Sequence, residues 1–497
     1  MKKIAITILM AGLSYAHAQN DIDALRYSKD MFGGTGRSAG IASAVGALGA
    51  EISSVNVNPA SIGMFKKDEM SFSFGMNNFS NLSEYLGNKT KENKFSLVLP
   101  NIGLVFCNNN SNKSSKGWSS TVISLGFSRV ADFNKYITFS GINTQTSLMD
   151  YFAERANGYS IKDIRATDDD FDNGFASKTT MAWEAYLFDS VANKTYTAHA
   201  SPVFHDIFQK ISIQQSGRMY DASFTLTKGY NNNFFAGASL IYTDVKFEES
   251  KAHSEVNDIK DTSNFAMDNF TYSDKLYTSG GGISVRLGIL QKIGDNFRIG
   301  ASFQSPQVLN LKDEYSFGIN STLRNGDSYN FSSKSGNFDY SVITPYKFTL
   351  SATAVSAKTG FISADVEFKD YSIMRLKSSQ INNAMEIAND EIRDKYKNVI
   401  NYRLGGELIF NSYRLRGGYA RYASPFVDKS IENQNTDFIS GGFGIKEKEW
   451  SFDLGMIRAI GKEIYQPYVL NDKNRQQAVS INKFNASNFI VTFVRKF

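Results

Sequence analysis

Apolar and polar residues alternate with a period of two along most of this chain, and this alternation constrains the fold more than any other feature. In residues 70–76, one face carries Met70, Phe72, Phe74 and Met76, and the intervening residues are Ser, Ser and Gly. The same alternation is found in residues 123–128, 283–289, 362–369 and 450–456. A period of two over such lengths predicts β-strands with two chemically different faces. The fold class predicted is all-β.

The connections between these strands fall into two length classes. Short polar turns are predicted near residues 108–117, 229–233, 292–296, 357–359, 411–412 and 446–448. Longer polar segments lie between them, near residues 78–94, 131–216, 248–275, 320–333, 377–398, 424–434 and 461–481. Six short turns interleaved with seven long loops imply about 14 antiparallel strands, with the short turns on one edge and the long loops on the other. That arrangement is typical of an outer-membrane β-barrel whose long loops are extracellular.

Composition is compatible with a barrel although it superficially suggests a soluble protein. The 497 residues are 42% hydrophobic and 21% charged, and no apolar run approaches the roughly 18 residues that a membrane-spanning helix needs. A barrel exposes only every second strand residue to lipid, so an average over the chain hides its apolar half. The single cysteine, Cys107, excludes an internal disulfide and a multi-cysteine zinc site.

The N-terminus has the pattern of a secretory signal peptide, predicted to span residues 1–18. Lys2 and Lys3 precede a short apolar stretch, and Ala16-His17-Ala18 forms a small-x-small cleavage site. Gln19 follows that site where a lipoprotein would need Cys, so no lipid anchor is expected. Cleavage would remove two of the 54 basic residues and leave 52 against 49 acidic ones. This near-balance gives no indication of nucleic-acid binding.

The C-terminus ends in a strand pattern that resembles the signal read by the outer-membrane barrel assembly machinery. Phe489, Val491, Phe493 and the terminal Phe497 share one face, although Arg495 interrupts it. We therefore expect the assembly machinery to be a partner through Phe497, and the barrel to lie in the outer membrane of a Gram-negative bacterium.

A secreted soluble sandwich or propeller would also show alternating strands. The alternating loop lengths, the terminal Phe and charged residues on the polar faces favour the barrel. Those charged residues are Asp365, Glu367, Arg403, Glu407, Arg414 and Arg416. A basic side chain facing lipid at mid-bilayer would cost roughly 2–4 kcal/mol, so these faces are assigned to the lumen. There they either set selectivity or form ion pairs between wall strands and the lumen contents, and the second interpretation is preferred.

No pattern for catalysis or metal binding stands out, so no enzyme activity, metal site or cofactor is expected. His199, His205 and His253 fall in predicted loops without ligand spacing. Neither a Gly-x-Ser-x-Gly elbow nor a phosphate-binding loop occurs. Residues 34–39 superficially resemble a dinucleotide fingerprint but have no preceding strand.

Residues 33–63 precede the first strand and are rich in Gly, Ala and Ser. Small residues allow close packing inside a filled barrel, and Pro59 fixes a bend while biasing Asn58 away from helix. The alternative is a flexible tail. We interpret residues 19–68 as a hatch that plugs the lumen and residues 69–497 as the barrel, with a large extracellular loop at about 131–216.

The sequence resembles the FadL-type outer-membrane transporters of long-chain fatty acids and other hydrophobic compounds. The stretches that carry the resemblance are residues 36–40 and 58–62 in the hatch and residues 299–306, 363–368, 402–407 and 415–419 in the barrel. Ser61 stands where the family commonly has Gly, and the loop at 131–216 is unusually large. The family's strand number is also 14.

The resemblance implies passive uptake of a hydrophobic small molecule: loops capture it, the hatch at Asn58, Pro59 and Ala60 blocks its path, and it leaves laterally through the wall into the membrane lipid. The candidate capture residues in the large loop are Leu148, Tyr151, Phe152, Trp183 and Leu187. These side chains could equally form the small core of a cap over the barrel mouth. Two other functions stay open: a surface adhesin whose loops bind a protein partner, and a porin for polar solutes, against which the Gly/Ala-rich hatch argues.

Overall fold

The chain is all-β, with short helices near its N-terminus and in its long loops. The computed structural model describes residues 21–30, 34–109, 117–165, 174–192, 194–200, 206–258, 266–428, 434–472, 475 and 477–497. The predicted signal peptide and His205 lie outside these residues. Within them, no helix is both long and apolar enough to cross a membrane.

The helices are α1 (Asp21–Ser28), α2 (Gly36–Gly40), α3 (Leu148–Ala156), α4 (Ile161–Ile164), α5 (Gly174–Glu184) and α6 (Asn382–Lys395), with 3-10 helices at Ile52–Asn56, Pro59–Met64 and Tyr371–Ile373. The strands are β1 (Glu69–Tyr85), β2 (Asn88–Asn109), β3 (Trp118–Asp132), β4 (Lys135–Asn143), β5 (Phe188–Ala192), β6 (Thr195–Ala198), β7 (Asp206–Tyr230), β8 (Phe234–Asp258), β9 (Met267–Ile293), β10 (Phe297–Gln304), β11 (Val308–Leu323), β12 (Ser328–Ser332), β13 (Gly336–Ile343), β14 (Lys347–Ser356), β15 (Gly360–Asp370), β16 (Arg375–Lys377), β17 (Asn398–Phe410), β18 (Tyr413–Tyr422), β19 (Thr436–Lys446), β20 (Trp450–Tyr465) and β21 (Ser480–Lys496).

Nineteen of these strands form one antiparallel sheet that closes on itself, because β1 pairs with both β2 and β21. Four barrel strands are interrupted along their length: β3 continues as β4, β10 as β11, β12 through β13 to β14, and β15 as β16. Counting each interrupted strand once gives the 14 strands that the sequence predicts. Closure removes the open edges that lipid would not tolerate.

The alternation in sequence corresponds to an outer and a lumenal face, as predicted. Phe72 and Phe74 are nearly half exposed on the outside, whereas the alternating residues Ser71 and Ser73 are buried on the lumenal side. Comparable exposed apolar residues surround the barrel: Leu125, Phe224, Leu240, Leu287, Leu350, Leu404, Ile439 and Phe489. We call this ring of exposed apolar side chains the apolar belt.

The positions of the short turns are confirmed, but two of the predicted long loops are wrong and the bounds of the large loop are too wide. The predicted long loop at 78–94 is a hairpin in which β1 and β2 continue to a two-residue turn at Leu86 and Gly87. The segment 248–275 is largely strand, since β8 extends to Asp258 and β9 starts at Met267. The large loop begins only after Asn143. These strand extensions lie beyond the apolar belt, where neither face of the strand meets lipid. Their sequence is therefore as polar as that of a loop, although their backbone is hydrogen-bonded in a ladder.

Candidate functional site

Residues 34–65 pack against the lumenal face of the barrel wall, and Asn58 is the point at which this hatch segment is fixed. Asn58 is buried and precedes the 3-10 helix Pro59–Met64, where its Oδ1 accepts a hydrogen bond from the backbone N–H of Ala60 at 3.0 Å. Its Nδ2 donates to the carbonyl oxygens of Gly46 at 2.9 Å and of Ile289 in β9 at 3.0 Å. One amide therefore caps a helix, closes the hatch on itself and joins the hatch to the wall.

Wall glycines allow the Asn-Pro-Ala bend to approach the barrel closely. A Cβ at Gly288 would overlap Asn58 Oδ1, and a Cβ at Gly300 would lie 2.8 Å from Asn58 Nδ2. A Cβ at Gly237 would lie 2.8 Å from the carbonyl carbon of Pro59. The carbonyl of Pro59 also accepts a hydrogen bond from Thr227 Oγ1 at 2.8 Å. The predicted hatch residues Asn58, Pro59 and Ala60 thus lie directly against β7, β8, β9 and β10.

Charged wall residues form ion pairs with one another and with the hatch. Arg416 Nε lies 2.7 Å from Glu407 Oε2, and Arg416 Nη1 lies 2.7 Å from Asp453 Oδ1. Arg37 of α2 reaches the same Glu407 oxygen at 3.2 Å. A second group joins Arg403 to Glu367 at 3.2 Å and to Asp365 at 3.4 Å, and Asp365 accepts from Gly46 N at 3.3 Å.

The preferred interpretation of these charges, pairing within the wall and between wall and hatch, is therefore confirmed. Arg414 is the exception, because its guanidinium bonds the carbonyl oxygens of Asn411 and Tyr413 in its own short turn.

Beyond residues 34–65, on the long-loop side, the lumen contains an apolar cluster that we call the chamber, which includes the first helix of the predicted hatch segment. Helix α1 contributes Ala24, Leu25 and Tyr27 to it. The wall and loops contribute Phe133, Met219, Val245, Phe247, Leu309, Leu311, Phe338, Tyr340, Val342, Tyr371, Met374, Leu376, Met385, Ile392, Tyr396 and Val399, with Ala131 beside Phe133. Tyr27 is almost fully buried, with its ring 6.1 Å from that of Phe133 and 6.5 Å from that of Phe247. The sequence pattern does not predict α1, because this helix is too short to show a clear period.

Polar contacts fix both ends of the α1 segment in the lumen. At its start, Tyr396 Oη donates to Asp21 Oδ2 at 2.8 Å, and Lys395 Nζ lies 3.2 Å from Asp21 Oδ1. After its end, Asp30 pairs with Lys347 at 2.8 Å and with Lys369 at 3.2 Å. Burial raises the pKa of the Tyr396 hydroxyl, and the neighbouring Asp21 raises it further.

The wall beside the chamber has an interruption in its hydrogen-bond ladder. The described ladder pairs between β2 and β3 end at Asn101 and Ser128. Farther along, Asn88 Nδ2 of β2 donates to the carbonyl of Ser140 in β4 at 3.3 Å. In between, the register of β3 against β7 shifts at Val130.

The bent backbone at this interruption is held by local contacts. Gly217 of β7 has a φ of +124° and accepts from Phe133 N at 3.2 Å. Asp132 Oδ2 accepts from Asn77 Nδ2 at 2.9 Å. The bend carries Phe133 into the chamber, so the interruption and the chamber adjoin. Val130 and Ala131 break the alternation in the sequence, which is the signal that could have predicted the bulge.

The five candidate capture residues come together in one apolar cluster formed by the large loop and the strand extensions. Leu148, Phe152 and Leu187 are buried in it, and Tyr151 and Trp183 pack on it half-buried. The wall extensions contribute Met267, Phe270, Phe317 and Ile319. We call this cluster with its loop the cap. It has an apolar core of its own, which is what the alternative to ligand capture expects of these residues.

A buried polar group attaches the cap to the wall through Glu255 of β8. Its Oε1 accepts from Leu148 N at 2.8 Å, from Gln209 Nε2 at 2.7 Å, and lies 2.9 Å from His253 Nε2. Its other oxygen bonds Ser147 Oγ at the start of α3. A carboxylate here compensates the unpaired N–H groups of the first helical turn.

A second carboxyl in this cap, Asp150, completes the capping box of α3 and pairs with Arg475 at 2.8 Å. Burial raises the pKa of the Asp150 carboxyl above its usual range, although Arg475 opposes that shift.

Of the histidines, His253 bonds Glu255, and His199 lies 2.8 Å from the Asp189 carboxylate. Among the described residues, no group of three or more His, Cys, Asp or Glu side chains is placed to hold a metal ion.

No protein-family model and no curated protein matches the sequence. Among solved structures, a Pseudomonas aeruginosa FadL homologue aligns over 95% of this chain and 100% of its own, with a TM-score of 0.54 and 12% identity. The Pseudomonas putida toluene transporter TodX aligns over 95% of this chain and 100% of its own at a TM-score of 0.48 and 11% identity. The CymD monoaromatic hydrocarbon channel covers 94% of this chain and 98% of its own, at a TM-score of 0.47 and 10% identity. The chain therefore has the fold of the FadL homologue, a closed 14-stranded barrel with its N-terminal segment inside.

Proposed function

We propose that this protein is an outer-membrane channel of a Gram-negative bacterium that takes up hydrophobic small molecules, such as long-chain fatty acids, past a hatch and releases them laterally into the membrane. One observation carries the proposal: the apolar chamber above the docked hatch adjoins an interruption in the barrel wall. The named neighbours, a FadL homologue and two hydrocarbon channels, support the same class of solute.

The chamber supplies the driving force for binding. Each CH₂ group transferred from water into an apolar environment contributes roughly 0.8 kcal/mol, so an acyl chain of moderate length gains several kcal/mol. A ligand entering the chamber must displace α1 or pack beside it, because Leu25 and Tyr27 already occupy apolar volume there.

The hatch and the wall interruption support a lateral exit. The hatch fills the lumen with hydrogen-bonded backbone and ion pairs, which offer an apolar solute no favourable path. The bulge at Val130 lies on the chamber side of the hatch, three residues beyond Phe127, which is an exposed apolar residue of the same strand. Lateral release would therefore keep the solute out of water.

Uptake by living cells tests this function. A strain lacking the protein should take up a radiolabelled long-chain fatty acid or alkyl aromatic more slowly than the parent, with uptake of a polar sugar unchanged. Equal apolar uptake in the two strains would refute transport. Purified protein that binds no fatty acid but binds a host or matrix protein would favour the adhesin, and a loss of sugar uptake would favour a porin.

Deletion of Val130 tests the lateral exit separately. Arg129 pairs with Tyr220 and Ala131 with Met219, so removing the unpaired residue between them restores a regular ladder without reversing the faces. We expect slower apolar uptake while purified protein still binds the fatty acid. Deletion of Ser119, the extra residue of a second irregularity in the same strand, is the matched control and should leave uptake unchanged. Normal uptake after the Val130 deletion would rule out this exit.

A further inference from the structure

The outer wall carries a groove directly above the apolar belt, where β9, β11, β13 and β16 lie side by side and α6 borders them. Its volume is about 1130 Å³. The polar residues that line it include Asn310, Lys312, Asp339, Ser341, Lys377 and Glu386. Leu311, Tyr340, Leu376 and Met385 of this lining also belong to the chamber, whereas the outward-facing polar residues have no part in the proposed uptake route.

Strand register places the groove relative to the membrane. Asn310 pairs with Ser341, and Ser341 pairs with Lys377, so these side chains form one row across three strands on the outer face. The outward row immediately below contains Ile283 and Val308, which are exposed members of the apolar belt. The groove therefore begins where the hydrocarbon-facing surface ends.

The groove offers both charges and neutral hydrogen-bonding groups. Lys312 and Lys377 are exposed, and the carboxylates Asp339 and Glu386 lie among the lining residues. The hydroxyl of Ser341 donates to Asn310 Oδ1 at 2.8 Å, which orients the Asn310 amide so that its Nδ2 remains a donor. Small residues at 279–280 leave room on the floor.

Helix α6 forms a rigid side of the groove. The side-chain amide of Asn389 accepts from Leu376 N at 2.8 Å and donates to Leu376 O at 2.9 Å, which imitates a neighbouring strand. Met385 and Ile392 are buried in the chamber cluster, which fixes the helix from the other side. The groove is therefore preorganised rather than formed by a loose loop.

From this combination we infer that the groove binds the phosphorylated sugar headgroup of an outer-leaflet glycolipid, whose acyl chains lie against Ile283 and Val308. Ammonium groups attract phosphates at a membrane surface. Carboxylates accept hydrogen bonds from sugar hydroxyls, and the Asn310 amide and serine hydroxyls complement them. The mixed charge favours a sugar phosphate over a simple anionic lipid. The inference rests on the outer-membrane location in the proposed function but not on the nature of the transported solute.

Native mass spectrometry of the delipidated full chain in detergent, titrated with bisphosphorylated lipid A, tests the inference. We expect one tightly bound lipid A, and a loss of affinity of about tenfold in the double variant Lys312→Glu and Lys377→Glu. Phosphatidylglycerol should bind more weakly than lipid A, and millimolar inorganic phosphate should not displace lipid A.

Lys246→Glu is the matched control. Lys246 of β8 pairs with Ser279, which itself pairs with Lys312, so it is an exposed lysine at the same height but outside the groove. We expect its variant to bind lipid A within about twofold of the wild type. An equal loss in the control, equal binding of phosphatidylglycerol, displacement by phosphate, or no bound lipid A would each overturn the inference.

Fatty-acid binding by the same preparations separates the two proposals. Loss of lipid A binding with intact fatty-acid binding confines the effect to the groove and shows that the variants are folded. Absence of fatty-acid binding in the wild type, with lipid A still bound, would count against the transport proposal alone.

Discussion

The amide oxygen of Asn58 occupies the space that a side chain on Gly288 would need. Asn58 belongs to the hatch and Gly288 to strand β9 of the wall, and the same amide bonds the carbonyl of the neighbouring Ile289 at 3.0 Å. The contact between hatch and barrel thus requires a glycine at position 288 of the wall and an asparagine at position 58 of the hatch.

Replacing Gly288 by Val should loosen the hatch. The added side chain overlaps Asn58 Oδ1, and overpacking of this kind destabilises a fold by about 1–3 kcal/mol. We expect more frequent open events in planar-bilayer recordings and faster hydrogen exchange in residues 46–62. Gly417→Val is the control, because a Cβ at Gly417 meets no atom of the described residues within 4 Å. If the Gly288 variant opens no more often than the Gly417 variant and exchanges hydrogen no faster, the role of this contact is refuted.

Glu407→Gln should weaken hatch attachment by removing the charge shared by Arg37 and Arg416. Both guanidiniums are largely buried, and disrupting a buried pair through one partner typically costs about 3–5 kcal/mol. Hydrogen exchange of α2 measures the effect. The exposed pair Arg495 and Glu449 provides a comparison, since Glu449→Gln should cost no more than about 1 kcal/mol. Equal protection of α2 in both variants would contradict this prediction.

Glu255→Ala should detach the start of α3 from the wall. The change leaves the Leu148 N–H and the Gln209 amide without their acceptor, at about 1–3 kcal/mol for each buried group left unpaired. We expect increased protease cleavage within residues 144–165 and unchanged barrel resistance to heat in detergent. Glu248→Ala removes an exposed carboxylate from the same strand and should leave the cleavage pattern as it is.

Two classes of cap substitution distinguish ligand capture from core packing. Leu187→Ala removes a fully buried side chain and should destabilise the cap by about 2–5 kcal/mol. Tyr151→Ala affects a half-buried ring and should disturb the cap less.

If the cap captures ligand, the Tyr151 variant lowers the rate of fatty-acid binding while cap protease resistance is retained. If the cap is only a cover, binding changes only in variants that also lose protease resistance.

The period and the outward face of most wall strands could be predicted from each segment of sequence alone, because lipid is a uniform solvent for all of them. A strand such as Met70–Met76 must present every second residue to hydrocarbon whatever its partners, so period and face follow from sequence alone. The lumenal placement of Glu407 and Arg416 follows from the cost of exposing charge to lipid, and the Asn-Pro-Ala bend follows from the restricted φ of Pro59.

The sequence by itself determined the number of strands, their two faces and the alternation of short turns with long loops, since each depends on local chemistry. Only the tertiary structure decided where β1 and β2 end, where α1 lies and that β3 bulges at Val130. The strand extensions pair by backbone hydrogen bonds and their outer face does not meet lipid, so the apolar residues on their inner face are too few and irregular to give a clear periodic signal. The position of Tyr27 in the chamber and the opposition of Asn58 to Gly288 join residues distant in sequence, and closure of the barrel fixes which of them meet.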